Sequence, residues 1–147
     1  MKRCRQSRMP GQPTVHITNK QKKIPIDRAA FRALVRRVLE AEKGPQPGQI
    51  GVCFVDDRAI RRLNAQFHHR DEPTDVLSFP LSGTDRTLVA DIVVSTETAC
   101  RQARAYRSSP RRETALYVVH GLLHLLGYDD HSRKDRLRMQ RRQRKYL

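Results

Sequence analysis

The chain is 147 residues long, which is room for one domain and its core but not for two. Thirty Lys and Arg stand against fifteen Asp and Glu, a formal charge of +15, so a polyanionic partner such as nucleic acid is expected. No apolar run approaches the roughly 20 residues of a spanning helix, and the opening MKRCRQSRMPGQPT lacks the apolar stretch of a signal peptide. A cytoplasmic protein without a membrane partner is therefore the expectation. Cys4, Cys53 and Cys100 are odd in number and far apart, which suits a reducing compartment and offers neither a disulfide framework nor a zinc-finger pair. With aromatic residues at 5% and no Trp, contact through phosphate rather than base stacking is expected.

In chain order, residues 1–13 read as a flexible basic tail and residues 14–147 as one domain. Thr14 to Thr18 alternates apolar and polar and opens a sheet. Asp27 offers a cap to a helix carrying Phe31, Leu34, Val35 and Val38, stopped at Gly44-Pro45. Gln49 to Val55 is a strand with Ile50, Val52 and Phe54 on one face. Asp56 or Asp57 caps a second helix with Ile60, Leu63 and Phe67 along it. Asp75 to Phe79 and Leu88 to Val94 supply two more strands, separated by the polar turn LSGTDRT. Ser95 caps a helix to about Tyr106, with Glu97 in its first turn where the helix dipole favours it. Ser109-Pro110 starts the next helix, which ends at Gly127, and a strongly basic last helix runs from about Ser132 to Tyr146. Strands interleaved with helices predict an α+β domain, one small mixed four-stranded sheet covered by about five helices.

The segment ALYVVHGLLHLLGYDDH carries the chemistry. Its helix is apolar nearly all round, the pattern of a buried helix, yet holds His120 and His124. Four residues at 1.5 Å rise put the two imidazoles on one face, about 6 Å apart along the axis, within reach of one metal ion. Donor chemistry favours zinc. Gly127 ends the helix, so a third ligand must come from the turn Tyr128-Asp129-Asp130-His131. Three protein ligands and a water make the usual catalytic zinc site, a centre on a buried helix and the turn after it. Gly121 stands where the H-E-x-x-H peptidases place their general base. It leaves room at the site for a substrate or for a neighbouring strand.

At these residues the chain resembles a known family. HGLLHLLGYDD is similar to the HGxLHLxGYDH signature of the YbeY endoribonucleases; LNAQFHHRDEPTDVLSFP resembles that family's LNxxYRxxxxxTDVLSFP block, and LVADIVVS its GDIxIS strand. The resemblance covers most of Val52 to Met139. It implies a single-strand-specific, zinc-dependent RNase of the cytoplasm that matures rRNA, notably the 3′ end of small-subunit rRNA, takes part in ribosome quality control, and has rRNA and the ribosome or its small subunit as partners. It also implies a ligand spacing H-x3-H-x5-H. The first two positions are His120 and His124. An ungapped match, carried on to Met139, puts Asp130 third, whereas His131 reaches the ion only if the turn takes one extra residue. The family's Arg after the aromatic of LNxxYR falls on His68, with Arg70 two residues on as the other candidate for charge stabilisation. The resemblance also places Asp75 and Ser78 beside the cleft. A metallopeptidase and a non-enzymatic RNA-binding module stapled by zinc are the competing functions.

Overall fold

Among the described residues all five helices begin with the same device. The side chains of Asp27, Asp56, Ser95, Ser109 and Ser132 accept the N–H of Ala30, Ala59, Thr98, Arg112 and Asp135 at 2.8–3.2 Å. Each bond satisfies a donor that the first helical turn leaves without a partner, and Ser and Asp suit that place because their oxygens are short and polar. The computed structural model describes residues 13–42, 46–81 and 87–147. The expected basic tail, apart from Pro13, and most of the LSGTDRT turn lie outside these residues.

The elements are β1 (Thr14–Asn19), α1 (Arg28–Ala41), β2 (Gln46–Val55), α2 (Asp57–His68), β3 (Val76–Pro80), β4 (Thr87–Ser95), α3 (Thr96–Ala105), α4 (Pro110–Leu125) and α5 (Arg133–Tyr146). They form one four-stranded sheet of order β1-β2-β4-β3, with β1, β2 and β4 parallel and β3 antiparallel to β4. β2 starts three residues before the expected Gln49, because pairing with Thr87 and Leu88 of β4 extends it past an irregularity between Pro47 and Gln49. The alternation along each strand divides the core in two. Val15, Ile17, Ile50, Val52, Phe54, Ala90, Ile92 and Val94 point to one face, in a cluster with Phe31, Val35 and Val38 of α1, Val118 and Leu122 of α4, and Met139 and Tyr146 of α5. Val55, Leu77 and Val93 point to the other, where Ile60 of α2 meets them.

Gly121 sets how closely α4 lies on the sheet. A Cβ there would sit 3.0 Å from Ile92 Cγ2 and Ser78 Oγ and 3.2 Å from Val76 Cγ2. The glycine therefore makes room for strands β3 and β4, the second of the two uses its position allowed. Gly127 has the other glycine role. At φ +102° it takes the left-handed turn that closes α4, with Tyr128 N–H bonded to Leu123 O at 3.0 Å and Gly127 N–H to His124 O at 3.1 Å. These two bonds form a Schellman motif, which reverses the chain directly after the second histidine.

Candidate metal centre

His120 and His124 stand one turn apart near the C-terminal end of α4, His120 half-buried and His124 exposed. The Schellman turn brings the next residues back along the helix. Asp130 Oδ2 lies 3.7 Å from His120 Nε2. Two ligand atoms on one tetrahedral zinc, each at about 2.0–2.1 Å, are roughly 3.3 Å apart, so this pair needs a shift of only a few tenths of an ångström to share an ion. Imidazole and carboxylate donors suit a divalent cation of borderline softness, but His124 is not grouped with this pair: the three such side chains that come within 4.8 Å of one another among the described residues are Asp129, Asp130 and His131.

The turn is anchored from outside the helix. Tyr128 donates its hydroxyl hydrogen to Glu42 Oε2 at 2.9 Å and accepts Arg142 Nε–H at 2.9 Å, while the Arg138 guanidinium lies 5.1 Å over its ring. Tyr146 donates to the other Glu42 oxygen at 2.5 Å. Burial alone would raise the Glu42 carboxyl, but the hydrogen bonds from Tyr146 and Tyr128 and the Arg142 charge outweigh it and hold the group below the ordinary carboxylate range. Against that same carboxylate, and mainly through burial, the Tyr146 phenol is pushed up to about 12.

His131 is turned elsewhere. Its Nε2 is 3.2 Å from Asp129 Oδ1 and its side chain is 84% exposed. Asp129, Asp130 and His131 nonetheless bring one ligand atom each within 4.8 Å of one another, a group that could hold a metal ion. Asp130 belongs both to this group and to the pair with His120.

The α2–β3 segment lies over β3. Phe67 packs on Phe79 with ring centroids 5.0 Å apart, and the His68 ring lies near-parallel to Phe79 at 6.4 Å. α2 ends on His69 in the left-handed conformation, and Arg70 N–H closes back on Asn64 O at 3.4 Å, leaving the Arg70 side chain exposed. Among the described residues no hydrogen bond or ion pair links His68 or Arg70 to His120, His124 or Asp130. Asp75 makes local bonds, accepting from Val76 N–H at 2.8 Å and Thr74 Oγ1 at 3.2 Å. Ser78 donates to Gly121 O at 3.2 Å and so ties β3 to α4.

Two pairings escape sequence reasoning. Gln143 on α5 brings its amide nitrogen 2.6 Å from His120 Nδ1, and Glu42 holds Tyr128 across 86 positions of chain. The periodicity of α5 does put Gln143 one turn from the buried Met139, but nothing in it names His120 as the neighbour.

With this geometry in hand, comparison with known proteins decides the family. The family model described as endoribonuclease YbeY matches residues 16–147. The chain belongs to the YbeY family. Endoribonuclease YbeY of Pelotomaculum thermopropionicum is 41% identical over 143 residues, covering 90% of this chain and 94% of the relative. That of Carboxydothermus hydrogenoformans is 37% identical over 133 residues, covering 89% and 93%. The fold is similar to the solution structure of TM1509 from Thermotoga maritima, at TM-score 0.62 and 27% identity, covering 90% of this chain and 86% of that one. Among the described residues no helix is long and apolar enough to cross a membrane.

Proposed function

We propose that this YbeY-family chain is a zinc-dependent endoribonuclease of the cytoplasm. It cuts single-stranded rRNA, with the 3′ end of small-subunit rRNA and ribosome quality control as its setting and the ribosome as its partner. The observation that carries the reading is the approach of Asp130 to His120, in a chain matched almost end to end by an endoribonuclease family. His120 and His124 would give neutral imidazole nitrogens to one zinc ion and Asp130 a carboxylate oxygen. When bound, the ion supplies Lewis acidity and an activated water at neutral pH.

The remaining work falls to the protein. The exposed basic face of α5, with Arg133, Arg141 and Arg144, would hold the phosphate chain near the turn. Arg70, or His68 as a donor, would offset the charge that builds on phosphorus during attack, where cationic donors act best. The peptidase reading lacks a base: at Gly121 a Glu would have to occupy space already filled by Ile92 and Ser78. The test is cleavage of single-stranded and structured RNA, with casein as control, with and without chelator and in His120→Ala. RNA cleavage that chelator and His120→Ala both abolish supports the reading. Cleavage indifferent to both removes the metal from it, and binding without cleavage leaves an RNA-binding module.

A further inference from the structure

Gln143 sits on the inner side of α5, one turn after Met139, and is only 8% exposed. Its amide nitrogen lies 2.6 Å from His120 Nδ1, with the carboxamide oxygen as the other atom of the same end, while the opposite ring nitrogen, Nε2, is 3.7 Å from Asp130 Oδ2. The imidazole thus has a hydrogen-bonding partner at Nδ1 and a carboxylate neighbour, beyond hydrogen-bond distance, on the side of Nε2. A neutral imidazole carries a single proton. For Nε2 to offer a lone pair on the Asp130 side, that proton must be on Nδ1, and a half-buried N–H there needs an acceptor. The carboxamide can provide one, because its oxygen and nitrogen exchange places on a half-turn about the last side-chain bond. It does so without charge, beside a centre that already contains Asp130.

We propose that Gln143 is the positioning residue of the metal centre. Its carboxamide oxygen accepts the Nδ1–H of His120, fixing both the tautomer and the ring plane, so that the Nε2 lone pair faces the ion shared with Asp130. Partners of this kind on the far nitrogen orient metal-binding histidines, and losing one typically weakens metal affinity 10–100-fold. α5 thereby acts on the centre from the core side, while its outer face stays basic and exposed. The inference rests on the metal reading above, and the experiment separates the two.

Zinc affinity is measured by competition with a chromogenic chelator for wild type, His120→Ala, Gln143→Leu and Gln143→Glu. Each is also melted in excess chelator to report the metal-free fold. Gln143→Leu keeps the bulk but has no acceptor, and is expected to bind zinc about 10–100-fold more weakly with its metal-free melting unchanged. Gln143→Glu keeps an acceptor and is expected to bind as tightly as wild type or more so. In the zinc-loaded wild type, nitrogen NMR of His120 is expected to show the proton on Nδ1. Wild-type affinity in Gln143→Leu overturns the proposal. So does a loss that Glu fails to rescue and that matches a loss of metal-free stability, since packing then explains it. A His120 resonance with Nδ1 on the metal overturns it as well. Full zinc retention in His120→Ala, or none in wild type, overturns the metal reading beneath it.

Discussion

Glu42 and Tyr128 are joined by a 2.9 Å hydrogen bond that spans 86 positions of chain and fastens the turn after α4 to the C-cap of α1. Arg142 and Tyr146 of α5 close on the same carboxylate, so α1, the end of α4 and α5 meet at one buried acid, whose partner Tyr128 stands two residues before Asp130 in the turn. Stability and the shape of the turn after α4 are coupled through that group.

The coupling predicts a pH dependence. Glu42 is depressed below its ordinary value of 4.5, so its contribution is fully present above that value and is lost as pH falls through the lower folded value. Glu42→Gln should lower the melting temperature at neutral pH, and the gap to wild type should narrow progressively across the range in which pH falls below 4.5. Melting curves of both proteins across that range provide the check. A gap that stays constant would mean the carboxylate charge is not what Tyr128 and Tyr146 stabilise.

The third ligand is decided by three variants. Asp130→Ala should lose stoichiometric zinc, Asp130→His should keep it, and His131→Ala should keep it, since His131 is turned to Asp129 and largely exposed. Added zinc at about a hundred times Kd should stabilise wild type by roughly 2.7 kcal/mol and leave Asp130→Ala unmoved. Loss of zinc in His131→Ala alone would transfer the site to the Asp129–Asp130–His131 group.

Gly121→Ala tests the packing of α4 on β3 and β4. The added methyl meets Ile92 and Ser78 at 3.0 Å, and overpacking of this kind destabilises by about 1–3 kcal/mol. Urea unfolding should register that loss. Stability equal to or above wild type, from the better helix propensity of alanine, would show that the strands yield.

On α5 the arginines divide into two kinds. Replacing exposed Arg133, Arg141 and Arg144 by Ala should flatten the slope of log RNA affinity against log salt, by about 0.7 for each phosphate of a single strand that is no longer neutralised. Arg142, bound to Tyr128 and paired with Glu42 at 3.4 Å, should instead lower the melting temperature when changed to Ala. An unchanged salt slope in the triple variant would move RNA binding to another face.

Arg70→Ala is expected to slow RNA cleavage about tenfold or more with zinc content intact, and His68→Arg to preserve or raise the rate. Single-turnover kinetics on a single-stranded RNA, with metal analysis of each sample, measure both. A wild-type rate in Arg70→Ala beside a dead His68→Ala would assign the charge-stabilising role to His68.

The local elements of this protein are legible in its sequence, because caps, periodicity and breakers act over a few residues. Asp27, Ser95, Ser109 and Ser132 mark helix starts, the pair Asp56-Asp57 marks another with the structure choosing Asp56 as the cap, the alternation of Ile50, Val52 and Phe54 marks a buried strand face, and Gly127 marks the end of α4. The i, i+4 spacing of His120 and His124 likewise follows from helix geometry alone. The strand order β1-β2-β4-β3 does not, because hairpin and crossover connections satisfy the same alternation. Nor does the use of Gly121, whose open side is filled by Ile92 and Ser78 only once the sheet lies against α4. Gln143 at His120 and Glu42 at Tyr128 belong to the tertiary structure as well. Each joins side chains far apart in sequence, and it is the packing of α1, α4 and α5 in one core that brings the partners within hydrogen-bond distance.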